Sequence, residues 1–409
     1  MKRACCVLLV FLLIFAGCGA EPEPDVVTEG TAPASEADKT DPHESEVPPD
    51  ITSEDATEDV GTTEPDVPAG DPTDAFIKTM TLEEKVGQLF FISPENLPGG
   101  GLTSLNDAAR EAIDTYHPGG FVLFGVNITD PEQLKAFTAD LRASMVPAPV
   151  LAVDEEGGNV ARIANAGFDV PKYASMGAVG DMGDPDEAWK AGKNIGSYLR
   201  EYGFTLDLAP VADVNSNPYN PVIGRRAFSS DPYEASVMVE MFIDGLHENG
   251  VLSCIKHFPG HGDTYGDTHE GFVLLDKSRE ELDACELIPF KENLAHTDAV
   301  MVAHVSLPQL TGDNTPASLS KAIVTGLLRD ELGFDGLVMT DSLEMSAITD
   351  TYGAGEAAVL AIEAGNDVLL GPADYVVAYN AVLEAVKSGR ISETRLDESV
   401  RRILIAKGY

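Results

Sequence analysis

The chain has 409 residues, 44% of them hydrophobic, and a formal net charge of −41 from 68 acidic and 27 basic side chains. This charge excludes nucleic acid as a partner, because binding to phosphates needs clustered Lys and Arg. The length exceeds the ~250–300 residues of most single domains, so it allows either one large domain with appendages or two domains.

Residues 1–18, MKRACCVLLVFLLIFAGC, resemble a bacterial lipoprotein signal peptide. Lys2 and Arg3 give a positive start, and the apolar residues 7–16 are too few for a stable membrane span. The resemblance implies that Cys18 is lipidated and becomes the mature N-terminus, although Phe15 replaces the usual Leu. We therefore expect an extracytoplasmic protein, lipid-anchored to the outer face of the bacterial cell membrane. A plain secretory signal is the alternative.

Residues 19–73 are rich in Glu, Asp, Pro and Thr and have almost no large apolar side chains. They contain 17 acidic residues and one basic residue, Lys39, for a net charge of −16. Such a composition cannot bury a core, so it predicts a disordered, self-repelling tether. With the signal and the tether removed, residues 74–409 carry −27.

Two of the five cysteines, Cys254 and Cys285, lie in the region predicted to fold. Two cysteines do not make a disulfide framework, and their spacing matches no zinc motif. Because Cys254 lies inside an apolar run, we expect it to be a buried free thiol.

From residue 74 onward, short apolar runs alternate with segments of helical periodicity. Runs of four to seven residues bounded by Gly, Pro, Asp or His are typical of strands buried on both faces. The predicted strands are residues 86–92, 120–124, 150–153, 206–211, 251–255, 299–305, 337–339 and 367–370. The predicted helices include residues 104–116, 131–144, 185–202, 232–249, 278–295 and 321–332.

Eight strands interleaved with helices predict an α/β fold, a (β/α)8 TIM-type barrel forming a single catalytic domain over residues 74–409. A doubly wound open sheet is the alternative, because periodicity does not report closure. A barrel requires catalytic groups at the carboxyl ends of its strands. Polar side chains do follow five of the strands, namely Asp154, Glu155, Glu156, Asp207, Asp213, Asn215, Lys256, His257, His261, Asp263, His304, Asp341 and Ser342.

The segment KHFPGHGDTYGDTH, residues 256–269, is predicted to be a flexible loop because of its glycines. Asp267 and His269 are two residues apart, which lets the carboxylate bind one imidazole nitrogen and raise the basicity of the other. A metal site is the competing interpretation, with His257, His261, Asp263, Asp267 and His269 as ligands. No fixed-spacing metal signature supports it, and the glycine-rich loop suits a rigid site poorly.

This loop resembles the signature loop of the glycoside hydrolase family 3 β-N-acetylglucosaminidases. Three further segments resemble that family in the same order: AVDEEGGNVAR from residue 152, PVIGRRAFSSDP from residue 221 and MTDSLEM from residue 339. Among the departures, Phe272 and Val273 stand where the family usually has Leu and Pro. The resemblance covers nearly all of residues 74–409.

The resemblance implies a role for eight residues. Asp341 matches the nucleophile, His269 the general acid/base and Asp267 its partner. The residues matching the N-acetylglucosamine-binding set are Asp154, Arg162, Arg226, Lys256 and His257. It also implies a single-domain enzyme without metal or organic cofactor, which acts on GlcNAc-containing peptidoglycan fragments. We expect a monomer.

The leading hypothesis is therefore an exo-acting, retaining β-N-acetylhexosaminidase with an Asp nucleophile and a His–Asp acid/base pair. A β-N-acetylglucosaminide phosphorylase is the second interpretation, because a histidine acid/base repels incoming phosphate less than a carboxylate does. A non-catalytic lipoprotein that binds wall sugar, and a metal-dependent hydrolase, are the remaining alternatives.

Overall fold

Eight parallel strands form a barrel in the computed structural model, which describes residues 71–409. The predicted signal, with Cys18, and residues 19–70 of the predicted tether lie outside the described residues. The barrel strands are β1 (Phe90–Ile92), β2 (Gly120–Leu123), β3 (Val150–Val153), β4 (Leu206–Asp207), β5 (Leu252–Phe258), β6 (Ala299–Val302), β7 (Leu337–Thr340) and β8 (Leu369–Leu370).

Each strand pairs in parallel with the next one along the chain, from β1 through to β7. β8 pairs with β1 in the register Phe90↔Leu369, and a single parallel bridge, Met339↔Val368, joins β7 to the run into β8. The ends of the sheet therefore meet. The predicted (β/α)8 barrel is confirmed, and the open sheet is excluded.

The first predicted strand, residues 86–92, is wrong over its first half. A helix, Leu82–Gln88, occupies that stretch and begins at a capping box in which Thr81 and Glu84 satisfy each other's backbone N–H groups. Val86 is buried on the inner face of this helix, so its apolar side chain suits either structure.

Helices surround the barrel strands. The α-helices are Pro72–Ile77, Leu82–Gln88, Asp107–Tyr116, Pro131–Ala143, Arg162–Asn165, Met176–Gly180, Pro185–Glu201, Pro232–His247, Arg279–Ala284, Ile288–Asn293, Pro308–Thr311, Ser346–Thr349, Ala354–Ala364, Tyr375–Lys387 and Glu393–Ala406. Short 3-10 turns occupy Pro94–Asn96, Gly125–Asn127, Gly224–Arg226 and Ala317–Leu319, and Ala322–Glu331 is a π-helix.

One predicted helix, residues 278–295, is divided into Arg279–Ala284 and Ile288–Asn293. The break lies at Cys285, whose backbone leaves the helical region with φ −144° and ψ −80°. Pro289 then occupies the first turn of the second helix, where its missing N–H costs nothing.

The described chain begins slightly before the predicted domain boundary at residue 74. Asp71 caps the helix Pro72–Ile77, and Arg401 binds both Asp71 and Asp74. Cys254 is a buried free thiol, as predicted. Within residues 71–409, no helix combines the length and apolarity that a membrane crossing requires.

Candidate active site

A cavity of about 370 Å³ opens at the carboxyl ends of the barrel strands. Seven of the eight residues predicted for catalysis and sugar binding line it, and the eighth, Asp267, contacts the lining residue His269. The seven are Asp154, Arg162, Arg226, Lys256, His257, His269 and Asp341. The structure therefore brings together side chains that lie up to 187 residues apart in sequence.

Asp341 immediately follows β7, and its backbone N–H donates to the carbonyl of Val302 on the neighbouring strand, at 2.9 Å. Its Oδ1 accepts the backbone N–H of Ser342 at 2.8 Å. Burial opposes ionisation of Asp341, but the polar and charged groups around it, among them the Ser342 backbone N–H and the Lys256 ammonium, outweigh it and lower its pKa. Asp341 is thus an ionised carboxylate on a rigid strand end, which is what a nucleophile needs.

Two carboxylates, the buried Glu156 and the half-buried Asp154, hold the three cations of the cavity. Lys256 Nζ lies 2.7 Å from Asp154 Oδ1 and 2.6 Å from Glu156 Oε1. Arg226 binds Glu156 with Nε and Nη2, at 2.8 and 2.7 Å, and Arg162 Nη2 lies 3.1 Å from Asp154 Oδ2. Burial opposes charge on Lys256, but the two carboxylates prevail and raise its pKa. Ionised, fixed donors of this kind give charge-assisted hydrogen bonds to sugar hydroxyls.

A buried carboxylate, Asp213, orients two histidines. His257 Nδ1 lies 2.7 Å from Asp213 Oδ2, and the His261 backbone N–H donates to Oδ1 at 2.6 Å. Because Arg226 Nη2 can only donate, its 3.3 Å contact makes His257 Nε2 an acceptor. This network fixes the tautomer of His257 beside the three cations that line the cavity.

His269 lies on the loop that follows β5. Its Nδ1 is 2.7 Å from Asp267 Oδ1, and its side chain is 66% exposed. The loop begins close to the barrel, since a Cβ on Gly262 would lie 1.7 Å from the Val214 carbonyl. Lys277 holds the loop at Asp263, at 2.9 Å. The first part of the loop is therefore fixed, while the part with His269 faces solvent and the cavity.

The five residues considered as metal ligands do not converge. His261 hydrogen-bonds Thr264 and lies near Thr268, and Asp263 pairs with Lys277. Across residues 71–409, no three or more His, Cys, Asp or Glu side chains are grouped to hold an ion.

Three functional-site residues have no role predicted from sequence: Glu156, Asp213 and His304. Each follows a strand, but its partner is distant along the chain. His304 accepts from the Ser318 hydroxyl at Nδ1, at 2.7 Å, and donates to the Ser342 carbonyl from Nε2, at 2.9 Å. It therefore holds the backbone next to Asp341. The DEEGG run is a usable signal for Glu156, since side chains alternate along an extended segment.

Comparison with known proteins identifies the family. The model of the glycosyl hydrolase family 3 N-terminal domain matches residues 81–406. β-Hexosaminidase A of Pseudoalteromonas piscicida is 33% identical over 74% of this chain. β-Hexosaminidase LpqI of Mycobacterium tuberculosis is 35% identical over 73% of this chain and 78% of its own length. A family 3 β-N-acetylglucosaminidase structure from Paenibacillus sp. FPU-7 superposes with a TM-score of 0.75 and 41% identity over 81% of this chain.

Coverage of these relatives differs. The chain spans 55% of the Pseudoalteromonas protein and 62% of the Paenibacillus chain. Residues 81–406, which the family model matches, include the eight barrel strands and all four segments on which the family resemblance rests.

Proposed function

Because the chain belongs to glycosyl hydrolase family 3, as its sequence predicted, we propose that it is an exo-acting, retaining β-N-acetylhexosaminidase. The observation that carries the proposal is the combination of an ionised carboxylate, Asp341, in the cavity with the His269–Asp267 pair on the loop that lines it. A retaining glycosidase needs a nucleophile and an acid/base.

In the first step, a carboxylate oxygen of Asp341 attacks the anomeric carbon of a terminal β-linked GlcNAc. The bond from that carbon to the leaving oxygen breaks, and His269 gives that oxygen the proton from Nε2. In the second step, His269 takes a proton from water, whose oxygen attacks the anomeric carbon and releases Asp341. Asp267 holds Nδ1 and stabilises the imidazolium form.

The charged side chains that line the cavity bind the sugar ring in this proposal. Lys256, Arg162 and Arg226 donate to ring hydroxyls, and Asp154 accepts from those hydroxyls. His257 supports this set by accepting from Arg226 at Nε2. These donors are already fixed by Asp154 and Glu156, so little entropy is lost when substrate binds. This organisation supports recognition of one terminal sugar unit, which is what an exo-acting enzyme requires.

The natural substrate in this proposal is a GlcNAc-containing peptidoglycan fragment, and the protein is held near it by a lipid on Cys18. The pattern of residues 1–18 supports this location. Substitution Cys18→Ser should prevent incorporation of labelled palmitate and move the protein out of the membrane fraction. Unchanged labelling would contradict anchoring at this residue.

The decisive experiment uses an aryl β-GlcNAc with Asp341→Ala and, as its control, the exposed Asp169→Ala. Loss of the nucleophile should abolish turnover, and azide should restore it with formation of the α-glycosyl azide. Full turnover by a folded Asp341→Ala protein would refute the assignment. Phosphate is included in a parallel reaction, because accumulation of GlcNAc-1-phosphate would instead identify a phosphorylase.

A further inference from the structure

A second cavity, of about 490 Å³, lies next to the catalytic one and has no charged side chain in its lining. This lack of charge is unusual in a region with a net charge of −27. The volume is within the range of about 300–1,000 Å³ that is common for small-molecule sites. We call it the Phe272 cavity; its lining includes Phe272, Tyr352, Asn314, Thr315, Ala347 and Thr351.

The two cavities share one wall. Ala347, in the Phe272 cavity, donates its backbone N–H to the carbonyl of Thr268, in the catalytic cavity, at 3.1 Å. Phe272 itself is three residues after His269 on the same loop. Because the acid must face the leaving oxygen, the side of the site formed by this loop is the side to which the leaving group extends.

The lining suits an uncharged sugar. Phe272 is 57% exposed, and Tyr352 adds a second ring. Among the described residues, the side chains of Asn314 and Thr351 make no hydrogen bond, so an amide and a hydroxyl are free to bind a ligand. A pyranose has an apolar C–H face, which packs on aromatic rings, and an edge of hydroxyls that needs such partners.

We propose that the Phe272 cavity is a subsite for an uncharged, β-linked N-acetylglucosamine-type unit of the substrate chain, one unit beyond the sugar whose oxygen leaves. The inference rests on the proposed function and adds to it a preference for substrates of three or more sugar units over disaccharides. Phe272, where the family usually has Leu, is an exposed large hydrophobic side chain of the lining. Its position on the His269 loop also links occupancy of the subsite to the acid/base.

The test compares three substrates: an aryl β-GlcNAc, chitobiose and chitotriose. Only chitotriose reaches the Phe272 cavity. Covering half of an exposed Phe side chain predicts that Phe272→Ala lowers kcat/KM on chitotriose by about tenfold. The values on the aryl substrate and chitobiose should stay the same. For Phe272→Leu, which keeps apolar bulk without the ring, kcat/KM on chitotriose should lie between the values of wild type and Phe272→Ala.

Tyr265→Ala is the matched control, because Tyr265 is an aromatic residue of the same loop, is 79% exposed and does not line the Phe272 cavity. It should leave all three substrates unaffected. An equal loss on all three substrates for Phe272→Ala would overturn the proposal and assign Phe272 to loop folding. The absence of any loss on chitotriose, or a loss confined to peptide-bearing muropeptides, would overturn it as well. Failure of the wild-type protein on the aryl substrate would refute the proposed function itself, separately from the subsite.

Discussion

His269 Nδ1 lies 2.7 Å from Asp267 Oδ1, and the same oxygen accepts the backbone N–H of His269 at 2.9 Å. The contact between the two side chains is therefore made within three residues, by a local turn. The carbonyl of Thr268, between them, accepts the backbone N–H of Ala347 and ties this turn to the segment after β7. The orientation of the imidazole is thus set before the loop approaches a substrate.

This relationship predicts the effect of Asp267→Asn. The amide can still accept a hydrogen bond but no longer stabilises the imidazolium, so general acid catalysis weakens. We expect kcat/KM to fall by about 10² for aryl glycosides with poor leaving groups and much less for good ones. A series of aryl β-GlcNAc substrates measures this slope. Asp263→Asn, in the same loop but paired with Lys277, is the control; an equal slope for both variants would indicate loop positioning instead.

Glu156 is predicted to support both stability and sugar binding. Its side chain is 1% exposed and contacts Lys256 and Arg226, so Glu156→Gln leaves the buried Lys256 and the half-buried Arg226 undercompensated. Breaking a buried pair from one side costs about 3–5 kcal/mol. Asp181→Asn, which removes the partner of the exposed Arg225, should cost less than about 1 kcal/mol. Urea unfolding at pH 7 compares the two, and similar losses would contradict the prediction.

The stability that Glu156→Gln loses should depend on pH in one direction. Burial alone would raise the pKa of Glu156, but Lys256 and Arg226 outweigh it and lower the pKa below the ordinary value of 4.5. The stabilisation is therefore complete above the unfolded-state pKa and is lost as the pH falls through the folded-state pKa. The difference between wild type and Glu156→Gln should shrink when unfolding is measured at successively lower pH values below about 4.5.

The sequence predicted the fold well because a parallel barrel buries every strand on both faces. The apolar runs at β2 and β3 match the structure at their starts, since Gly, Pro and Asp mark where burial stops. The helix Leu82–Gln88 could not be separated from a strand in this way. Its buried apolar residue, Val86, is equally suited to the inner face of either element.

The candidate site was predictable where reactive side chains lie at or near the carboxyl end of a strand, as at Asp341 just after β7 and Lys256 close to the end of β5. Its supporting contacts were not, because they join positions far apart in sequence. Within one run, Asp154 and Glu156 face the cavity, whereas Glu155 accepts the backbone N–H groups of Ile163 and Ala164. The three adjacent acids look alike in sequence, and only the alternation of side chains along an extended segment shows which of them face the cavity.

Glu344 is predicted to discriminate against anionic leaving groups. It lines the catalytic cavity and, among residues 71–409, makes no ion pair, whereas the three lining cations are paired with Asp154 and Glu156. The lactyl carboxylate of MurNAc would meet this negative charge. At low salt, Glu344→Gln should raise kcat/KM on GlcNAc–MurNAc by about threefold and leave chitobiose unchanged.

Two conditions should remove this gain. High salt screens the repulsion between Glu344 and the lactyl carboxylate. Burial, together with the charge of Glu95, raises the pKa of Glu344, so the wild-type side chain becomes neutral as the pH falls toward that value. Kinetics with both disaccharides at two salt concentrations and two pH values would check the prediction. A gain that persists in high salt would contradict an electrostatic origin.

Asp207 is predicted to reduce stability as the pH rises. It is fully buried; Oδ1 accepts the Glu155 backbone N–H at 3.0 Å, and Oδ2 has no partner among the described residues. Burial raises its pKa well above 3.8, so the folded protein keeps a proton that the unfolded chain releases. The stability from this proton is complete below the unfolded-state pKa and is lost as the pH rises toward the folded-state pKa. Relative to Asp207→Asn, wild type should lose up to about 1.4 kcal/mol per pH unit in that interval.

Asparagine preserves the shape and the acceptor at Oδ1 but does not titrate. The Tm of Asp207→Asn should therefore be close to that of wild type at pH 4, and should exceed it by a growing margin as the pH rises toward 8. Thermal unfolding across this range, with the exposed Asp169→Asn as control, measures the difference. Parallel profiles for wild type and Asp207→Asn would show that Asp207 titrates at the same pH in the folded and unfolded chains. The direction of divergence is also diagnostic, because a stabilising ionised Asp207 would make wild type the more stable protein at high pH.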